Sequence, residues 1–267
     1  MNDQRSGSET GKTIKSIETM LEILESIRRR EEAGVTEIAS DIGMSKSTAH
    51  HYVKTLELYN CLEKTNGRYR LGLQFLTYGG QARAGQRLYQ LAKNDVDRLA
   101  AETGEEVRLA VEQRGRGITL YQSTGAHVDQ ARSYVGQVEE LHCTAAGKAF
   151  LAALPAQRVE ALLDDLELRA FTPETIMDRD ELVAELEEIR ARDVAFDDEE
   201  RHEGVRCVAV SITNRSDELL GAISVSGPTS RLTGDRFSTT IPNQLQNIVG
   251  VVEVNTTYSE WEENVPQ

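Results

Sequence analysis

Residues 35–72 read VTEIASDIGMSKSTAHHYVKTLELYNCLEKTNGRYRLG, and this stretch decides the fold. A short helix fits Thr36 to Ile42, with Ile38, Ala39 and Ile42 inward. Gly43 supplies a tight turn. Ser45 is a natural N-cap for a second helix running to about Tyr59. Ala49, Val53 and Leu56 form its buried stripe. Cys61 to Arg70 then reads as a hairpin closed by Asn66-Gly67. Helix, glycine turn, helix and hairpin make a winged helix-turn-helix.

The second helix of that motif must enter the major groove, so its outer face must be polar. Lys46, Ser47, His50, His51 and Lys54 point away from the apolar stripe. Ser45, Ser47 and Thr48 gather at the helix N-terminus, where free N–H groups favour a phosphate. Thr36 heads the preceding helix, and Arg68 and Arg70 sit in the hairpin. This set is the candidate interface for double-stranded DNA. Phosphate contacts would position the unit, and Lys46, His50 or His51 would read base edges.

Working outward, TIKSIETMLEILESIRRREEAG at 13–34 places Ile14, Ile17, Leu21, Leu24 and Ile27 on one helical face. Residues 74–103 form a long helical stretch, which Gly79, Gly80 and Gly85 are expected to interrupt and make flexible. Beyond Gly104 the element types alternate. EVRLAVEQ carries Val107, Leu109 and Val111 at period two. A turn at Arg114–Gly117 leads to a partner strand with Ile118, Leu120 and Gln122. CTAAGKAFLAAL, AQRVEALLDDL and DELVAELEEIRAR read as helices, the last capped by Asp178. GVRCVAVSIT and LLGAISVSG read as strands, and a terminal helix follows, with Pro242 in its first half. The expected class is α+β with a mostly antiparallel sheet. The expected boundaries are a disordered tail at 1–12, a DNA-binding domain at 13–74, a linker helix at 75–103, a sensor domain at 104–258 and a tail at 259–267.

The long blocks of this chain resemble the IclR family of transcription regulators, from about Ile14 to Tyr258. SKSTAHHYVKTLE is similar to the family's recognition helix and RYRLG to its wing. LHCTAAGKAFLA, FDDEERHEGVRCVAVSI and GAISVSGPTSR are similar to its effector-domain signatures. His51 stands where the family often has Arg, and Ala49 where a branched aliphatic is common. The resemblance implies a GAF-like α/β effector-binding domain and a small carboxylate, an aromatic acid or a sugar-catabolism metabolite as effector. It also implies a homodimer that can pair into a tetramer. Its effector contacts fall on Ala145, Ala146, Asp197, Val205, Cys207, Ser224 and Ser226. Read without the family, Val205, Cys207, Ala209 and Ser211 share one strand face, and Ala222, Ser224 and Ser226 another. Small residues leave space and hydroxyls orient a ligand, which is what a small-molecule pocket needs. The N-terminus of the helix at Thr144–Gly147 could hold an anion.

Charge divides along the chain. Residues 1–80 hold 11 basic and 11 acidic side chains, and residues 81–267 hold 19 and 33. The whole net charge of −14 therefore belongs to the second part. Seven Lys against 23 Arg, with that surplus of acid, resembles proteins of salt-loving archaea, where a large net charge maintains solubility. In molar salt counterion release contributes little, so base and shape readout would carry specificity. The polar start, MNDQRSGSETGK, has no apolar core and no long apolar run follows, so a cytoplasmic protein without a membrane span is expected. Three dispersed cysteines and five histidines suggest neither a disulfide framework nor a metal site, and no cofactor is expected. Gly7–Thr13 and Ala145–Ala149 fall short of a phosphate loop in spacing and residues. The rival class is an enzyme with Cys207 as nucleophile, His202 as base and Asp197 as orienter. A mid-strand thiol among apolar neighbours is more often an inert small hydrophobe.

Overall fold

The computed structural model describes residues 13–264, with side chains to Tyr258. The expected tail at 1–12, and with it residues 7–12 of the rejected phosphate loop, lie outside the described residues. The chain divides into two units, 1–85 and 86–267.

The first unit contains α1 (Lys15–Arg30), β1 (Ala33–Gly34), α2 (Val35–Asp41), α3 (Lys46–Leu58), β2 (Leu62–Thr65), β3 (Arg68–Leu71) and α4 (Gln74–Ala84). Ile23, Ile27, Ile38, Val53, Leu56, Leu62 and Tyr69 form its core. α2 ends in a Schellman turn: Gly43 takes φ +66°, Met44 N–H donates to Ala39 O at 2.9 Å, and Gly43 N–H donates to Ser40 O at 3.4 Å. Asp41 ties α2 back to α1, accepting from Ser26 Oγ at 2.6 Å and from both ends of the Arg30 fork at 2.7 and 2.8 Å. β2 and β3 form the expected hairpin, with Asn66 and Gly67 both at positive φ, as a type I′ turn requires. β3 also pairs with β1, so the wing is fastened to the α1–α2 turn.

Two expectations for this unit need correction. The apolar residues of α1 do not form a single buried face: Ile23 and Ile27 are buried, while Ile14, Ile17 and Leu21 are exposed. Ile23 and Met20 lie between the steps counted in the sequence, so two stripes overlap there. Gly79 and Gly80 do not interrupt a helix either, because both lie inside α4; the break falls at Gly85–Gln86. α4 buries none of its residues.

The second unit begins with α5 (Arg87–Thr103), followed by β4 (Glu106–Gln113), β5 (Arg116–Thr124) and β6 (Val138–Glu139). α6 (Ala145–Ala153), α7 (Ala156–Asp165) and α8 (Arg179–Arg192) come next. β7 (Ala195–Asp198), β8 (Val205–Thr213), β9 (Leu219–Pro228), a π-helical turn at Arg236–Thr240 and α9 (Ile241–Asn264) complete it. Asp178 caps α8, accepting from the N–H groups of Asp180 and Glu181. α9 runs on into the segment expected as a tail, to Asn264. Among the described residues no helix is long and apolar enough to cross a membrane.

The sheet is antiparallel throughout, in the order β6-β5-β4-β9-β8-β7. One face carries Val107, Leu109, Val208, Val210, Ile212, Ile223 and Val225 and is covered by α5 and α9. A bulge at Leu120 turns that side chain into the same core. The opposite face is built in rows of cross-strand partners, which share a side of a sheet. Ala110–Ala222–Ser211 is one row, Arg108–Ser224–Ala209–Ala195 the next, and Glu106–Ser226–Cys207–Asp197 the third. α6 and α8 pack on the alanine end. Ala145, Ala149 and Ala152 of α6 share this core, and Gly147 packs on the preceding turn, where a Cβ would lie 2.4 Å from the Leu141 backbone. The rows thus run from apolar and tightly covered to polar.

Candidate DNA interface and effector site

The candidate recognition surface is the outer side of α3. Ala49, Val53 and Leu56 are buried as the sequence predicted, and Lys46, Ser47, Thr48, His50, His51 and Lys54 are exposed. Ser45 accepts from Thr48 N–H at 3.1 Å and its hydroxyl meets that of Thr48 at 2.8 Å, so both hydroxyls fasten the helix start. Thr36 is exposed in the first turn of α2. The basic residues divide by partner. Lys54 pairs with Glu57 at 2.8 Å and Arg70 with Glu63 at 2.9 Å. Arg68 bridges Glu32 at 2.6 Å and Glu37 at 3.0 Å, and Glu37 in turn accepts from Gly34 N–H at 2.7 Å. Arg68 therefore braces the wing against the start of α2.

In the second unit, Val205, Cys207, Asp197, Ser224 and Ser226 share the polar face, and Ala145 packs in the same core as Cys207. Ala145 and Ala146 head α6, where the first N–H groups lack helical partners. Thr144 caps this start, accepting from Gly147 N–H at 3.1 Å. Asp197 accepts from Glu200 N–H at 2.8 Å and Arg201 N–H at 3.3 Å. Burial, and then the charge of Glu200, push its carboxyl up to about 7. Lys148, fully buried on α6, pairs with Glu200 and lies 3.7 Å from Glu185. The Lys148–Glu200 pair secures the loop after Asp197.

Several residues of this site were not singled out in the sequence. Arg108 projects from β4 onto the polar face; its Nη2 donates to Ser226 Oγ at 3.1 Å and lies 3.9 Å from Cys207 Sγ. Glu106 accepts from Arg132 N–H at 2.8 Å and from Ser133 Oγ, which holds the 126–137 loop beside the face. Glu139 on β6 meets Arg108 and Arg201. The signal was present in EVRLAVEQ, whose off-core positions read Glu106, Arg108, Ala110 and Glu112.

Cys207 is not placed as a nucleophile. Burial pushes its thiol up, and it accepts from Ser226 Oγ at 3.0 Å. A reactive thiol needs the opposite shift. Burial, and then the Arg201 charge, lower His202. Cys61, Cys143 and Cys207 are all free thiols. Among the described residues no cluster of His, Cys, Asp or Glu could hold a metal ion.

Both units match known families. Residues 16–65 match the IclR helix-turn-helix domain, and residues 81–250 match the C-terminal domain of bacterial IclR transcriptional regulators. The "Probable HTH-type transcriptional regulator ArcR" of Halobacterium salinarum is 30% identical over 95% of this chain and 98% of its own length. That relative comes from a halophilic archaeon, in agreement with the acid-rich, lysine-poor composition. The crystal structure of Thermotoga maritima IclR superposes with a TM-score of 0.75 at 27% identity, covering 91% of this chain and 99% of that one. An IclR homologue from Microbacterium hydrocarbonoxydans, solved in complex with 4-hydroxybenzoate, has the same fold, with a TM-score of 0.76 at 20% identity over 89% and 97% of the two chains. With a DNA-binding helix-turn-helix unit and a larger effector-binding unit both matched, the chain belongs to the IclR family of transcription regulators.

Proposed function

We propose that this regulator works in the cytoplasm as a homodimer on a pseudo-palindromic operator, and that a small organic acid on the polar sheet face switches its DNA affinity. The outer face of α3 carries the DNA reading. Its exposed Lys46, Ser47, His50 and His51 stand clear of the buried Ala49–Val53–Leu56 stripe, as a helix entering the major groove requires. Ser45 and Thr48 hold the helix start against a phosphate, Lys54 and Arg70 add phosphate contacts at its flanks, and Thr36 and Arg68 brace the approach. Two features support self-association: the exposed Ile14, Ile17 and Leu21 of α1, and α4, which buries nothing and exposes Leu76 and Tyr78. A second copy covering them would set the two recognition helices at a fixed half-site spacing. A tetramer would pair two such dimers.

The effector reading rests on the row Asp197–Cys207–Ser226, with Ser224 and Val205 beside it and the N–H groups of Ala145 and Ala146 at the head of α6. An acid held there fits the bound 4-hydroxybenzoate of the Microbacterium relative. Differential affinity for two arrangements of the dimer would couple ligand to DNA.

The test is genome-wide occupancy of the tagged protein on several carbon sources, beside its H50A/H51A variant. Discrete promoter sites that move with one carbon source, and that vanish in the variant, are expected. At an isolated operator each His substitution should weaken binding by about 1–3 kcal/mol if it reads a base. No enriched site under any condition would overturn the reading.

A further inference from the structure

The arginines of the sensor unit are not all held alike. Arg231 closes on buried Glu105 with both ends of its Nε–Nη2 fork, at 2.8 and 2.6 Å. Arg206 does the same on Asp198, at 2.6 and 3.2 Å. That fork is the edge that matches a carboxylate. Arg108 differs. Its side chain is 15% exposed, yet its Nε has no hydrogen-bond partner. Its Nη2 has a hydroxyl, Ser226 Oγ, instead of an anion. Its carboxylate, Glu139, is met through Nη1, off the fork, at 3.5 Å. Glu139 is also shared, with Arg201 Nε at 3.4 Å and with Gln137 Nε2. Two guanidiniums therefore hold one carboxylate loosely. Buried cations are ordinarily paired and fully hydrogen-bonded, and the group that would complete this one is a second carboxylate.

Glu139 can give way. It lies on β6, a two-residue strand at the sheet edge that pairs with Gly117 and Ile118. The preceding loop exposes Tyr134 and Val135. A two-residue edge strand opens at lower cost than an interior one.

We propose that Arg108 reads the effector's carboxylate through its Nε–Nη2 fork, and that Glu139 is the internal carboxylate the ligand displaces. This rests on the reading of the polar face as the effector site, and it narrows the ligand to a small acid whose charge is essential. Ser226 and Cys207 flank the bound carboxylate. Glu139, released from Arg108, keeps Arg201 as its cation in its displaced position.

The experiment is calorimetric titration of the full chain with acetate, benzoate, 4-hydroxybenzoate and succinate. The matching amides and free glucose serve as neutral counterparts, and E139Q, R108Q and R108K are tested beside wild type. At least one acid should bind wild type while its amide does not. E139Q should bind that acid about tenfold tighter. R108Q should lose at least tenfold, and R108K, with its charge but no fork, should fall between. Equal acid affinity in R108Q and wild type would overturn the role of Arg108 and leave the acid-effector reading standing. Binding of amides or glucose but no acid, in wild type and E139Q alike, would overturn the acid-effector reading itself. Failure of every probe to bind E139Q would overturn the proposal, since the fork would then be free and still take no carboxylate. If R108Q does not fold, the E139Q result decides alone: no tightening sinks the displacement.

Discussion

The two units handle charge in opposite ways. In the winged unit the ion pairs lie on the surface: Lys54–Glu57, Arg70–Glu63 and the Arg68 bridges surround a core closed by Tyr69. In the sensor unit Glu105, Glu106, Lys148, Asp197 and Glu200 are all buried. A protein that reads a polyanion must offer its cations to solvent, whereas one that selects a small acid must carry polar groups into its interior and satisfy them there. Removing an ion-paired charge should therefore weaken DNA binding in the first unit and folding in the second.

The strongest challenge to this contrast is Lys148→Met. It leaves Glu200 buried without its cation, which should cost about 3–5 kcal/mol and lower the melting temperature by about 10 °C. An unchanged melting curve would mean that the buried pair contributes nothing and the contrast is wrong. Asp197→Asn comes next. The folded chain holds the Asp197 proton up to about pH 7, while an unfolded aspartate releases it near 4. Stability from this group is therefore complete below about pH 4 and fades as pH rises through 7. Asparagine still accepts the Glu200 and Arg201 N–H groups and removes the fade. From pH 5 to 8 the variant should gain on wild type, by on the order of 3 kcal/mol at most. A gap that stays constant with pH would show a carboxyl ionised throughout. The smallest effect on stability is expected at the other pole, for Arg70→Ala. Its exposed pair with Glu63 should be worth less than about 1 kcal/mol. Operator affinity should nevertheless fall, and the slope of its logarithm against that of salt should lessen by about one. A slope equal to wild type would assign Arg70 to the wing alone.

The same division explains what could be read in the sequence. In the winged unit function lies on the outside, so periodicity is enough. The α3 stripe, the Gly43 turn and the Asn66-Gly67 hairpin follow from local rules and recur in the structure. Where two apolar stripes overlap on α1, the count chose the wrong spacing, because Ile14, Ile17 and Leu21 look no different from core residues until the fold sets their surroundings. In the sensor unit the polar row joins residues 106, 197, 207 and 226, and only the strand order brings them together. Family resemblance alone supplied Asp197, whereas strand alternation also put Cys207 and Ser226 on small, partly polar faces. Arg108 escaped because an arginine opposite an apolar face ordinarily points to water, and here β6 and its loop cover it. Gly79 and Gly80 misled for a related reason: on a helix that buries nothing, glycine opens no turn by itself.

The alanine rows have a consequence for how such a protein could change its diet. Ala110, Ala222, Ala209 and Ala195 set the distance between sheet and α6, so a larger side chain there would push the layers apart. Glu106, Arg108 and Ser226 lie outside that packed cluster. The scaffold and the palate are thus encoded on the same strands, two residues apart. Ligand preference can drift by single substitutions at one end of the sheet while the other end keeps the architecture in register.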